Sequence, residues 1–225
     1  GSGRIDFTIT IADSTGTYLS AGDRIGLNFV GCNDAGILMN GGFIMVINAI
    51  TPFFDPSIPP SAYILDVSVA MNNFSINDGL LDFSANGDMA MAFDINGNAV
   101  SLTLSGNGIS VTDGVNTETL ANYNYSFITD GSTDDFTVSL NGTISSALIN
   151  GSVSFQTTSA FTGNALLVGG NPTAGSTLFT TDVDSSSAIL TAQPDGSTVV
   201  IDVDEDGDGI YEIQIVTDWA TIGAP

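Results

Sequence analysis

Apolar residues recur at every second position along much of the chain. Ile5, Phe7, Ile9 and Ile11 alternate with polar partners near the N-terminus, and the same step of two runs through Met89, Met91, Phe93 and Ile95. It returns through Val100, Leu102 and Leu104, through Phe136, Val138 and Leu140, and through Val153 and Phe155. A strand sends successive side chains to opposite faces, so this period predicts strands with one apolar and one polar face. No convincing stripe at i, i+3, i+4 and i+7 runs over three turns, so essentially no helix is expected.

Asn-Gly pairs begin at Asn40, Asn86, Asn96, Asn107, Asn141 and Asn150. This dipeptide tolerates the positive φ that a two-residue hairpin turn requires, and several copies lie about ten residues apart, as in a meander. A meander with one wet face must hide the other by a second sheet, by closure, by an apolar ligand or by strands from a neighbour. The expected fold class is therefore all-β, an antiparallel meander forming a β-sandwich or open barrel. An outer-membrane barrel fits less well, because the polar positions read as solvated and no aromatic girdle stands out.

Residues 1–225 read as a single β-rich domain with two sub-boundaries. One lies near 51–61, where TPFFDPSIPPSAY carries four prolines that remove ladder donors; the other lies near 169–176, in GGNPTAGS. The alternating stretch 4–11, RIDFTITI, is either the first strand of this sheet or a donor strand that completes the sheet of a neighbour.

Charge narrows the function. The chain has 25 Asp plus Glu against 2 Lys plus Arg, both of them Arg (Arg4 and Arg24), for a net charge of -23, and no His. Phosphate backbones and anionic membrane surfaces are bound through Lys and Arg, so neither nucleic acid nor an anionic membrane surface is an expected partner. A field this negative attracts divalent cations and opposes compaction until counterions bind. With 43% hydrophobic and 12% charged residues the chain is still expected to fold.

Without His or Lys, the usual general bases and Schiff-base nucleophiles are missing, and no catalytic residue is assigned. A carboxylate pair such as Asp134 with Asp135, or Asp182 with Asp184, is the remaining route to hydrolysis. Asp residues so placed usually accept local backbone hydrogen bonds in turns. The lone Cys32 reads as a small buried residue in LNFVGCND. No apolar signal-peptide core and no stretch of about 18 uncharged apolar residues is evident, so neither a signal peptide nor a membrane helix is read in the sequence given.

The densest run of carboxylates is DVDEDGDGIYE, residues 202–212. A hard cation takes six to eight oxygens, and carboxylates at alternate loop positions wrap one ion where a glycine permits the turn. The candidate metal ligands are Asp204, Asp206, Asp208, the Ile210 carbonyl and Glu212, with Gly209 at the turn and calcium as the expected structural ion. The run resembles the first half of an EF-hand loop, but Ile215 stands where the bidentate Glu would be, between strand-like flanks. It is more similar to the calcium hairpins of FG-GAP repeats and to thrombospondin type 3 loops. The segment from SSAIL to DWATI also resembles the ends of exported bacterial β proteins and lipoproteins of unknown function, and the lysine-free, Ser/Thr/Asn/Gly-rich composition looks like that of bacterial surface proteins.

The sequence thus points to a non-enzymatic exported structural or adhesive protein, extracellular or on the cell surface. It would be a filament or surface-assembly subunit that binds itself or a surface partner by β-strand addition and is stabilised by calcium. The alternative is an exported or lipid-anchored β module for an apolar or carbohydrate ligand.

Overall fold

The computed structural model describes residues 1–13, 15, 19–51, 62–80, 82–149, 151–167 and 170–222. The alternating segments form β1 (Ser2–Thr10), β2 (Arg24–Asp34), β3 (Ile37–Thr51), β4 (Ala62–Asn77), β5 (Asp82–Asn96), β6 (Ala99–Thr112) and β7 (Thr117–Asp130). They continue as β8 (Asp135–Ser146), β9 (Gly151–Asn164), β10 (Pro172–Thr181), β11 (Ser187–Ala192), β12 (Thr198–Asp204) and β13 (Ile213–Asp218). One helical turn, α1 (Trp219–Ile222), follows. The strands lie side by side in chain order in one 13-stranded antiparallel sheet. The expected all-β meander with essentially no helix is what forms.

Among the described residues no second layer forms. The sheet is neither closed nor strongly curled, so a single sheet stands in place of a β-sandwich or open barrel. Hairpin connections place each strand beside its predecessor, which uses all thirteen strands edge to edge and leaves none to cover the apolar face. β3 pairs with β4, and β9 with β10, within the same sheet, each ladder with register irregularities. The proline-rich sub-boundary, 52–61, lies outside the described residues, as does residue 169, while Pro172 opens β10.

Four of the Asn-Gly pairs expected at turns sit inside strands instead. Only Asn96-Gly97 makes a hairpin turn, between β5 and β6, and Asn150 lies outside the described residues. Asn40-Gly41, Asn86-Gly87 and Asn141-Gly142 fall at register irregularities in mid-ladder, and Asn107-Gly108 is likewise inside β6. The same tolerance of positive φ explains both outcomes: Gly41 has φ 68° and Gly87 φ 129°, the backbone a bulge needs. The Asn side chains then accept across the disruption, Asn40 Oδ1 from the Gly31 N–H at 2.8 Å and Asn141 Oδ1 from the Thr157 N–H at 3.1 Å. Strands of 14 to 16 residues result in β3 to β7.

The bulges also keep the apolar face continuous. In β4 the apolar positions step from Met71 to Phe74, and in β6 from Leu104 to Ile109, changing parity in sequence but not in space. Phe29 of β2 meets Phe74 of β4 at 6.0 Å between ring centroids, across Gly41 and Gly42 of the intervening β3. The buried core is a line across this one face: Ile47, Val67, Ala85, Tyr123, Phe136, Phe161 and Val199. Cys32 is buried there as expected, its thiol 3.0 Å from the Arg4 carbonyl.

Candidate metal centre

The acidic run becomes the hairpin loop between β12 and β13. Strand residues flank it on both sides, Val203 pairing with Ile213 and Ile201 with Ile215. Ile215 is thus a ladder residue, which separates this loop from an EF-hand. Gly207 and Gly209 both have positive φ, 76° and 87°, the left-handed conformation that lets the loop reverse.

Asp204 anchors the loop. It is only 3% exposed, and its carboxylate accepts the Gly207 N–H at 2.7 Å and the Gly209 N–H at 3.0 Å. Asp206 Oδ1 accepts from the Asp208 N–H at 3.2 Å, Asp208 Oδ1 from the Ile210 N–H at 2.8 Å, and Glu212 Oε2 from the Glu205 N–H at 3.0 Å. Each of these last three carboxylates keeps a second oxygen free of such a bond.

One carboxylate oxygen from each of Asp204, Asp206, Asp208 and Glu212 lies within 4.8 Å of the others. Oxygens bound about 2.4 Å from one calcium are at most about 4.8 Å apart, so the spread matches a single hard cation. The structure therefore brings four of the five sequence-assigned residues into one acidic cluster able to hold a metal ion. Ile210 sits in the same loop with its side chain in solvent.

The Asp pairs considered for hydrolysis are acceptors in turns. Asp184 takes the Thr181 hydroxyl at 2.6 Å and the Ser186 N–H at 3.0 Å, and these bonds hold its carboxyl down to about 2. Asp182 accepts the Ser152 N–H at 2.9 Å, and Asp135 accepts the Asn164 amide at 2.9 Å; both are held below the usual carboxylate range, chiefly by those bonds. Asp134 lies in the β7–β8 turn at φ 60°. Carboxyls held ionised in this way are poor general acids at neutral pH.

Two features gave no warning in the sequence. Asp23, fully buried, closes the β1–β2 connection by accepting the Ala12 N–H at 2.7 Å and the Ser20 N–H at 2.8 Å, which lowers its pKa. The second is a cavity of about 230 Å³ on the apolar face, where α1 folds back and Trp219 meets Phe161 edge-on at 6.1 Å. Leu140, Thr177, Phe179 and Leu190 are among the residues that line it, with Val138 and Pro172. The cavity depends on long-range register, which no local pattern carries.

Comparison with protein-family models, with curated proteins and with solved structures finds no match for the chain. Function therefore rests on the acidic cluster, the open sheet and the chemistry of the sequence.

Proposed function

We propose that this protein is a non-enzymatic structural or adhesive subunit, exported to the cell surface or beyond, that assembles by β-strand addition and is clamped by calcium. The observation that carries the proposal is the pair of free sheet edges, β1 and β13, in a sheet that does not close. Unpaired edge N–H and C=O groups are templates for another strand. β1 pairs with β2 of its own chain, so addition uses its outer edge, or its exchange into a neighbour.

The two edges suit a head-to-tail repeat. Both arginines of the chain lie on β1 and β2, whereas the acidic loop flanks β13. Arg4 is paired with Asp6 at 2.7 Å, so the β1 edge is near neutral and lacks the repulsion that a net charge of -23 sets between two acidic surfaces. Successive strands are antiparallel, so β1 and β13 run in the same direction and a translational repeat joins them as a parallel pair, giving an open filament. Calcium at Asp204, Asp206, Asp208, the Ile210 carbonyl and Glu212 fixes the β12–β13 hairpin that presents the second edge. With two cations in the chain, nucleic acid and anionic membrane remain poor partners.

Electron microscopy and light scattering of the purified protein with calcium test this. Filaments that vanish when residues 4–11 are deleted support it, and filaments that persist in the deletion refute it. The cavity under Trp219 favours the alternative, a β module holding an apolar or carbohydrate ligand; that reading gains if no assembly forms and a ligand changes Trp219 fluorescence.

A further inference from the structure

The charged side chains of the sheet are sorted onto one face. Arg4, Asp6, Arg24, Asp66, Asp88 and Asp94 all occupy positions of opposite parity to the apolar ladder. Among the described strand residues only Asp34 and Glu118 share the apolar parity, and both sit at strand ends beside turns. A chain of net charge -23 thus keeps the middle of one sheet face free of charge.

The chain as a whole also exposes more surface than a compact monomer. A compact monomer of 23.1 kDa exposes about 9,700 Å² by the scaling of folded proteins, and this chain exposes 12956 Å². The excess is about twice the roughly 1,600 Å² total that a standard stable interface buries. Trp219 covers only the part of the face over Phe161, Thr177 and Leu190, in β9 to β11. The remaining strands β2 to β8, at about 4.8 Å spacing and with some fourteen residues at about 3.3 Å rise, offer roughly 1,500 Å² of geometric area per copy.

We infer that a second copy of this chain covers the apolar face, so that two open sheets stack into one intermolecular β-sandwich centred on β4 to β7. A face that is broad and not strongly curled does not enclose a small ligand, whereas it is self-complementary under a two-fold axis. Stacked sheets pack about 10 Å apart through such apolar faces, and here the only carboxylates on the meeting face, Asp34 and Glu118, sit at strand ends at its margin. Both charged faces then point outward into solvent. This pairing uses the sheet face and is independent of strand addition at the edges, so either can fail without the other.

Sedimentation of the intact chain at micromolar concentration tests it. In calcium-free buffer, where the hairpin that presents the β13 edge is not clamped for strand addition, the expected result is twice the 23.1 kDa chain mass, reverting to one chain in Leu102→Asp, on the apolar face, and unchanged in Ala92→Asp, on the opposite face. Because Leu102→Asp can fail to fold, the wild-type melting temperature is measured against protein concentration, and a dimer requires it to rise. The deletion of residues 4–11 separates the two interfaces: dimers without filaments are the expected species. A wild-type monomer with a concentration-independent melting temperature overturns the inference. So does an oligomer that a well-folded Leu102→Asp leaves intact.

Discussion

Tyr123 lies over Gly106, its register partner on the neighbouring strand, and donates its hydroxyl to the Asp88 carbonyl one strand further on, at 2.8 Å. A Cβ on Gly106 would stand 2.5 Å from that hydroxyl, closer than side chains tolerate. The same device recurs where Phe155 lies on Gly142 and Phe136 on Gly163, each pair directly opposed in the ladder. In a sheet without a second layer, an aromatic laid over glycine supplies packing that facing side chains supply in a sandwich.

The same Cβ would also run into the Asp88 backbone carbonyl, so Gly106→Ala is expected to displace both Tyr123 and the neighbouring strand's backbone and to lower stability by about 1–3 kcal/mol, the range for overpacking a filled site. Tyr123→Phe keeps the ring and removes only the hydrogen bond, about 1 kcal/mol. Denaturant midpoints measure both. An alanine as mild as the phenylalanine would show that the ring does not depend on the bare glycine.

The tyrosine also titrates late. Burial pushes the Tyr123 phenol above its usual 10, with the Asp88 charge adding to the effect. The folded state therefore favours the neutral phenol. Its contribution is fully present below about pH 10 and is lost as pH rises through the folded pKa. Phenolate absorbance followed against pH should show a fraction that ionises late, above pH 10. That late fraction should disappear in Tyr123→Phe, and an unchanged titration curve would remove the assignment.

In the acidic hairpin, Asp204, Asp206, Asp208 and Glu212 hold four formal charges with oxygens within 4.8 Å, and mutual repulsion opposes that arrangement unless a cation sits among them. Calcium at about a hundred times its dissociation constant would add about 2.7 kcal/mol of native stability by mass action. Thermal unfolding in calcium and in excess chelator measures it. The chelator shift should shrink strongly in Asp206→Asn, whose carboxylate is exposed and bonds only to the adjacent Asp208 N–H. Equal melting temperatures in both buffers would leave the loop as a solvated turn.

The loop and the fold were legible to different depths. Met89 to Ile95 and Val100 to Leu104 alternate without interruption, which predicts strands, and they are the facing halves of β5 and β6. The D-x-D-x-D-G-x-x-E spacing is local chemistry, so its gathering of carboxylates survived folding. Asn40, Asn86, Asn107 and Asn141 misled because positive φ serves a mid-strand bulge as readily as a hairpin tip, and only the neighbouring strand's register distinguishes them. The absence of a second layer was not legible, because an alternating pattern states that one face is apolar and not what covers it.

At low pH the turn carboxylates set the limit. Asp195, between β11 and β12, accepts the Ser197 N–H at 3.0 Å and the Thr198 N–H at 2.8 Å, and together with the Thr198 hydroxyl these bonds hold it down to about 2. A carboxyl whose folded pKa lies below its usual 3.8 stabilises above that value and loses the contribution as pH falls toward 2. Neutralising a net charge of -23 relieves repulsion over the same range, so the wild-type curve alone mixes two effects. The difference between wild type and Asp195→Asn isolates one. It should be clear at pH 6 and vanish near pH 2, and a difference that stays constant with pH would mean the side chain acts through packing alone.

The cavity beneath Trp219 contains a place where a substitution should improve the fold. Thr177 is 2% exposed in β10, and its hydroxyl has no hydrogen-bond partner; the Trp219 indole nitrogen is likewise buried and unpartnered. A buried polar atom left unpaired forfeits its hydration without recompense, typically about 1–3 kcal/mol. Thr177→Val keeps the β-branched shape that suits a strand and removes the orphan hydroxyl, so stability should rise by about 1 kcal/mol. Trp219→Phe removes the second orphan but also ring area over Phe161, and a net change within about 1.5 kcal/mol is expected. Denaturant unfolding of the two variants compares them directly. A Thr177→Val protein less stable than wild type would show that the hydroxyl has a partner in solution, which would make the cavity a polar site.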